Sequence, residues 1–422
     1  MRAVECFAGC GGTTCGLVTA GFDVRLGIDN DAVALSVLRA NHGHATRQMD
    51  LGDVECAVRV IREAGPIDLL CGSPPCCDFS SAGRRVEREG VAGLTVAFAR
   101  IAVTLGPRCV CIENVPDMLR SSAWTEASEL LVGAGYSIVV LRVNSAACGV
   151  AQVRRRVFVL ATRGCDESVL RRVEQAAASF NKTPADAPKV RDCLDDPTAD
   201  CYWYNARNRH SPCVRSTDLP APTLRCNCLA PPPAHYQARH DDAGSIVDAH
   251  VLSVSEMARV ASFPPHYFEI STRTAAGRMI GNCVCPRMAE QVAWWCLELL
   301  RAPVSAVERP ICLVAMRRHA QRVSRLHRLV DLGLLDEGAV LADGTLIYEG
   351  GASRTGDAIV QRVLGDVAAG WRIELRPRRT PSVSRGQAPL DDLFIRVDGH
   401  AQPFRSIRQL RRSVVQRANP AE

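Results

Sequence analysis

Across the first 160 residues short apolar runs alternate with amphipathic stretches. The runs Arg2–Phe7, Val24–Ile28, Ile67–Cys71, Cys109–Ile112, Ser137–Val143 and Val157–Ala161 are strand-length. Helix-like segments lie between several of them, at Asp31–Ala40, Val54–Ala64 and Val91–Leu105. Strand–helix alternation at this spacing predicts a doubly wound α/β sheet. Such a sheet takes its ligand at the carboxyl ends of the strands. The main α/β body, with its ligand site, is therefore expected over 1–161.

From about Thr162 to Val214 the pattern breaks down. Pro184, Pro188, Pro197 and Pro212 interrupt it, and the aromatic cluster Tyr202-Trp203-Tyr204 precedes the basic patch Arg207-Asn208-Arg209-His210. A small irregular insert is expected over 162–214, with a return to the main domain over 215–301, where helices resume at Ser255–Ala261 and Pro286–Leu300. Residues 302–422 are expected to form a separate basic α+β module. Its predicted elements are a helix over Leu313–Val330, strand-like pieces at Thr345–Tyr348, Trp371–Leu375 and Leu393–Val397, and a basic helix over Ile407–Gln416.

Charge sharpens that division. Residues 301–422 carry 20 arginines against 13 acids, a balance of +7, which leaves the first 300 residues near −1. A basic extension on a neutral body is the footprint of a polyanion contact, although solvated surface charge has the same composition. No apolar run approaches the ~18 residues of a membrane span, and no secretory signal is read at the start, so a cytoplasmic or nuclear protein is expected. The 20 cysteines are then expected as reduced thiols. Cys193, Cys201, Cys213, Cys226 and Cys228 cluster loosely with His210 and His235 but lack zinc-knuckle spacing, so no metal is expected.

Candidate chemistry lies where predicted strands end. Phe7-Ala8-Gly9-Cys10-Gly11-Gly12 follows the first strand, and its glycines permit a sharp turn and close ligand approach. Asp29 ends the second strand, where an acid can accept hydrogen bonds from ribose hydroxyls. Asp68 to Ser80 holds the sharpest signal: two prolines stiffen the backbone just before Cys76, a construction that holds a thiol at the sheet edge. Glu113-Asn114-Val115 follows the strand Cys109–Ile112. In Gln152-Val153-Arg154-Arg155-Arg156, alternation points Arg154 and Arg156 to one side and Arg155 to the other.

In this order the motifs resemble those of the cytosine carbon-5 methyltransferase family. Pro220-Ala221-Pro222-Thr223-Leu224, Arg259-Val260-Ala261-Ser262-Phe263-Pro264 and Gly281-Asn282-Cys283-Val284 extend the likeness over about residues 2–300. The resemblance implies a Rossmann-like methyltransferase sheet, S-adenosylmethionine as cofactor and double-stranded DNA as partner, with the insert reading the target. It implies Cys76 as nucleophile on carbon 6 of a flipped-out cytosine, Glu113 as the acid at the ring nitrogen, and Arg156 assisted by Arg154 at the carbonyl oxygen. Phe7, Gly9, Gly11, Asp29, Asp50, Leu51, Pro75 and Asn282 are implied as the cofactor's surroundings.

The chain departs from the family at two positions: Cys77 stands where glutamine is usual, and Asp29 where glutamate is commoner. A monomer is expected. Two other readings share these motifs: methylation of cytosine in RNA, and a non-catalytic DNA-binding relative. Phe79-Ser80 and the absence of a Cys-Phe-Thr signature weigh against the first. The presence of Cys76, Glu113 and both arginines weighs against the second.

Overall fold

The computed structural model describes residues 1–75, 93–206, 211, 213–304 and the strands Leu375–Pro377, Leu393–Val397 and His400–Pro403. Cys76 through Ser80, the basic patch 207–210, the helices expected over 313–330 and 407–416, the strand expected over 345–348 and all but the last residue of that expected over 371–375 lie outside the described residues. The chain divides into two compact units, Met1–Leu313 and Val314–Glu422.

The first unit alternates as its sequence pattern predicts. Its elements run β1 (Arg2–Cys6), α1 (Gly12–Thr19), β2 (Asp23–Asp29), α2 (Ala32–Asn41), β3 (Ala45–Gln48), α3 (Val54–Glu63), β4 (Leu69–Gly72), α4 (Gly93–Leu105) and β5 (Cys109–Asn114). Then come α5 (Ser122–Gly133), β6 (Ser137–Asn144), β7 (Gln152–Val153), β8 (Arg155–Thr162) and α6 (Glu167–Ala178). The short strands β9 (Cys201–Trp203), β10 (Val214–Ser216) and β11 (Ala221–Pro222) precede α7 (Val254–Val260), α8 (Arg273–Asn282) and α9 (Pro286–Arg301). In the second unit β12 (Leu375–Pro377), β13 (Leu393–Val397) and β14 (His400–Pro403) pair antiparallel in that order.

Seven strands form one sheet in the order β3-β2-β1-β4-β5-β8-β6. The five from β3 to β5 are mutually parallel, and β8 is antiparallel to both its neighbours. Strand side chains alternate between two cores. Cys109, Cys111, Phe158 and Leu160 enter the core shared with α1, α6 and α9, whereas Val110, Ile112, Val157 and Val159 enter that of α3, α4 and α5. A sheet buried on both faces is continuously apolar for this reason, and that gives the sequence its strand-length runs. Chain order reverses between β1 and β4, so a crevice opens at the carboxyl ends of those strands.

Two local results differ from the pattern. Helix α6 lies in the stretch read as irregular; its Val169, Leu170, Val173 and Ala177 make one buried stripe, and the interrupting prolines lie beyond its end. Helix α8 was likewise unread, because its mixed composition gives weak periodicity although Ala276, Met279 and Ile280 are buried. No helix among the described residues is long and apolar enough to cross a membrane.

Helices α1 and α9 cross at close quarters over Gly16. A Cβ added there would come within 2.3 Å of the Glu290 backbone nitrogen and 2.6 Å of the Ala289 Cβ. We expect Gly16→Ala to lower stability by about 1–3 kcal/mol, the usual range for overpacking. Chemical denaturation measures it, and an unchanged midpoint would contradict so tight a crossing.

Candidate active site

A cavity of about 330 Å³ opens at the switch point. Its floor is the turn after β1, where Phe7, Gly9 and Gly11 all have positive φ, at 56°, 53° and 94°. Positive φ is costly for a phenylalanine, so neighbouring contacts must hold the turn in place. One such contact is the Gly9 amide, which donates to Asp29 Oδ2 at 2.8 Å. The other carboxylate oxygen accepts from the Asp31 amide at 2.8 Å. Burial raises the Asp29 carboxyl above the usual range, against these bonds that favour its charged form.

The other walls come from the remaining strand ends. Met49, Asp50 and Leu51 follow β3, and Ser73, Pro74 and Pro75 follow β4. Asp50 folds its own loop by accepting from the Gly52 amide at 2.8 Å. At the end of β5, Asn114 donates from Nδ2 to the Pro74 carbonyl at 3.0 Å. This ties the residue beside Glu113 to the backbone that leads into Cys76.

Glu113 and Arg156 meet across the β5–β8 pair, with Arg156 Nε 3.0 Å from Glu113 Oε1. Glu113 is 9% exposed, and both side chains line the cavity. The register explains the meeting. Asn114 pairs with Val157, so the residue before Val157 falls beside the end of β5. Arg154 also lines the cavity but has a different set of partners. Only 2% exposed, it donates from Nη1 to the Gly281 carbonyl at 3.0 Å and from Nη2 to that of Asn282 at 3.2 Å. Arg154 is thus tied to backbone, and Arg156 is the guanidinium paired with the acid.

The structure therefore gathers Phe7, Gly9, Asp29, Asp50, Leu51, Pro75, Glu113, Arg154, Arg156 and Asn282 around one cavity. Cys76 lies outside the described residues. Gly11 is not among the lining residues and serves the turn from behind. A Cβ there would meet Leu38 Cδ1 at 2.5 Å and the Tyr267 hydroxyl at 2.7 Å.

Sequence reasoning passed over Glu5. It lies within β1, is 2% exposed, lines the cavity and accepts from the Thr14 hydroxyl. Burial pushes its carboxyl up to about 8, against hydrogen bonds from Thr14 and Thr13 that favour the ionised form. An acid inside an apolar strand next to a glycine turn was the available signal. The Asp31–Arg278 ion pair, at 2.8 Å, also borders the cavity and had no local signal, since its members are distant in sequence. Of the described thiols that line the cavity, Cys283 has its ionisation pushed well up by burial, and Cys10 is buried.

Comparison with known proteins agrees with the geometry. The sequence model described as C-5 cytosine-specific DNA methylase matches residues 1–218 and 214–297. The type II methyltransferase M.HgiDI of Herpetosiphon aurantiacus is 33% identical over 291 residues, 68% of this chain and 92% of that protein. M.HindV of Haemophilus influenzae is 29% identical over 311 residues, 73% of this chain and all of that one. The crystal structure of the Schizosaccharomyces pombe Dnmt2 methyltransferase shares the fold with a TM-score of 0.52 at 19% identity, covering 71% of this chain and 98% of its own.

The raised Glu5 carboxyl has a signed consequence. Between its ordinary value near 4.5 and about 8 the folded protein keeps a proton that the unfolded chain has released. Stability then falls as pH rises through that window. Glu5→Gln should flatten this part of the stability profile, measured by urea midpoints at several pH values across it. An equally steep profile in the variant would assign the slope elsewhere.

Proposed function

The chain belongs to the C-5 cytosine-specific DNA methylase family, and from that premise we propose that it transfers a methyl group from S-adenosylmethionine to carbon 5 of a cytosine flipped out of duplex DNA. The observation that carries the reading is the Glu113–Arg156 pair at the cavity wall, beside the Asn114–Pro74 bond that anchors the entry to Cys76. An acid, a guanidinium and the approach to a thiol converge there on one rim.

The cavity fits the cofactor. Its volume suits a ligand of nucleoside size. Asp29, beside the backbone bonds that orient it, presents carboxylate oxygens to ribose hydroxyls, and Leu51 offers an apolar surface to a purine. Bound there, the cofactor supplies an electrophilic methyl group on a sulfonium.

The protein's part is to make carbon 5 nucleophilic. The Cys76 thiolate adds to carbon 6, and the Sγ–C6 bond turns the ring into an enamine. Glu113 donates a proton at ring nitrogen 3 as that bond forms, so no full negative charge builds on the ring. Arg156 holds the Glu113 carboxyl and faces the carbonyl oxygen, where charge grows. After methyl transfer a water molecule takes up the carbon-5 proton, whose electron pair re-forms the C5–C6 double bond as the Sγ–C6 bond breaks to release the thiolate, and the nitrogen-3 proton returns to Glu113. Arg154 acts through the backbone of Gly281 and Asn282 and is a positioning residue. The insert over 162–214 reads the sequence around the target, and the basic residues of 302–422 add phosphate contacts.

Cys76→Ala is expected to abolish methyl transfer from labelled cofactor to DNA while cofactor binding persists. Only the intact thiol should form a stable adduct on DNA containing 5-fluorocytosine. Full activity in the variant would refute the mechanism. Removal of residues 302–422 should weaken DNA affinity and flatten its dependence on salt. Equal affinity and an equal slope would exclude a phosphate-binding role for that module.

A further inference from the structure

We infer that Tyr267 is a positioning residue for cofactor binding, its hydroxyl locking the strained turn after β1 from behind and His42 setting that hydroxyl's direction. The inference rests on the proposed cofactor reading and assigns residues that lie outside the cavity itself. Tyr267 follows α7 in the Phe263–Phe268 stretch and is 3% exposed. Its hydroxyl donates to the Cys10 carbonyl at 2.7 Å. That carbonyl belongs to the same turn whose Phe7, Gly9 and Gly11 adopt positive φ.

A hydroxyl has one proton to give. With that proton on Cys10, the hydrogen bond of 3.1 Å to His42 Nε2 has the imidazole as donor, and the same nitrogen lies farther, 3.5 Å, from Cys15 Sγ. Burial lowers the His42 ionisation, which favours the neutral ring. The residue before it, Asn41, donates from Nδ2 to the Tyr267 carbonyl at 2.9 Å. The end of α2 thereby grips both backbone and side chain of Tyr267, and Tyr267 grips the turn.

Ring and hydroxyl have separable roles. The ring packs against Phe263 at 4.9 Å and Phe268 at 5.2 Å between centroids, which any aromatic could do. The hydroxyl occupies the space that a Cβ on Gly11 would need, at 2.7 Å. Asp29 holds the turn on its cavity side through Gly9 and Tyr267 holds it from behind through Cys10. Loss of the hydroxyl leaves a buried carbonyl without its donor and frees the turn to relax.

Tyr267→Phe tests this with the packing preserved. In the full chain, equilibrium binding of S-adenosylmethionine, and of its demethylated product S-adenosylhomocysteine, should weaken about tenfold, the scale of one unmade buried hydrogen bond. KM for the cofactor should rise alike, with kcat at saturating cofactor and KM for DNA within about twofold of wild type. His42→Ala should weaken cofactor binding in the wild-type background and add nothing in the Tyr267→Phe background. Unchanged cofactor affinity in Tyr267→Phe, with only a lower unfolding midpoint, would overturn the inference while the proposed function stands. A wild-type protein that binds neither cofactor nor product would overturn both.

Discussion

One strand reversal sets where the chemistry can occur. Strand β8 runs antiparallel between β5 and β6, whose direction matches the rest of the sheet. Its amino end therefore lies at the edge where β1, β2, β3, β4 and β5 finish, and Arg156 arrives beside Glu113. Had β8 been parallel, its first residues would have lain at the opposite edge, about the length of a strand away. The ion pair follows from the topology, and the register of Asn114 on Val157 fixes its spacing to within a residue.

The cavity is closed by a second long-range event, the return of the chain through α8 and α9. Gly12 and Gly16 let α9 and the segment before it approach α1 closely, with the Val284 carbonyl only 2.2 Å from where a Gly12 Cβ would be. Asn282, Cys283 and Val284 then become wall residues of a site whose floor is the first turn of the chain. Arg154 fastens the same segment by its two backbone bonds. The two arginines of one short motif thus do different physical work. Arg156 faces an acid, while Arg154 joins the strand that bears it to the returning chain.

Much of this was legible in the sequence because parallel sheets buried on both faces leave continuous apolar runs, and because site residues fall where those runs end. The bounds of β1, β2 and β6 match the predicted runs within one residue at either end, while β5 begins where predicted and runs two residues further, so that Glu113 and Asn114 belong to the strand. Asp29 and Glu113 drew notice by their place at strand ends, and their expected roles, with that of Arg156, came from the resemblance of the ordered motifs to a known family. What escaped has physical reasons. Glu5 was hidden by its apolar neighbours, and its role depends on Thr14 from the helix above it. Helix α6 was masked by prolines that follow it, and the Asp31–Arg278 pair joins residues distant in sequence. The expected share of Arg154 in the chemistry came from its position in a motif, whereas its partners are backbone carbonyls that no local pattern reveals. Gly11 was assigned to the cavity for the same reason, while its environment is Leu38 and Tyr267.

The burial of thiols bears on the nucleophile that we propose. A cysteine attacks as its thiolate, and desolvation works against that form. Among the described residues burial drives Cys15, Cys148 and Cys285 to about 12, and it drives Cys283, at the cavity wall, well above its ordinary range. These sulfurs are packed as small apolar groups. Their burial works against nucleophilic attack, whereas Cys226, the exposed thiol among the described residues, lies with its Sγ 3.1 Å from Asn282 Oδ1. Pro74 and Pro75 are rim residues, held there by Asn114 from the same strand end as Glu113. The residue joined to Pro75 by the next peptide bond is Cys76.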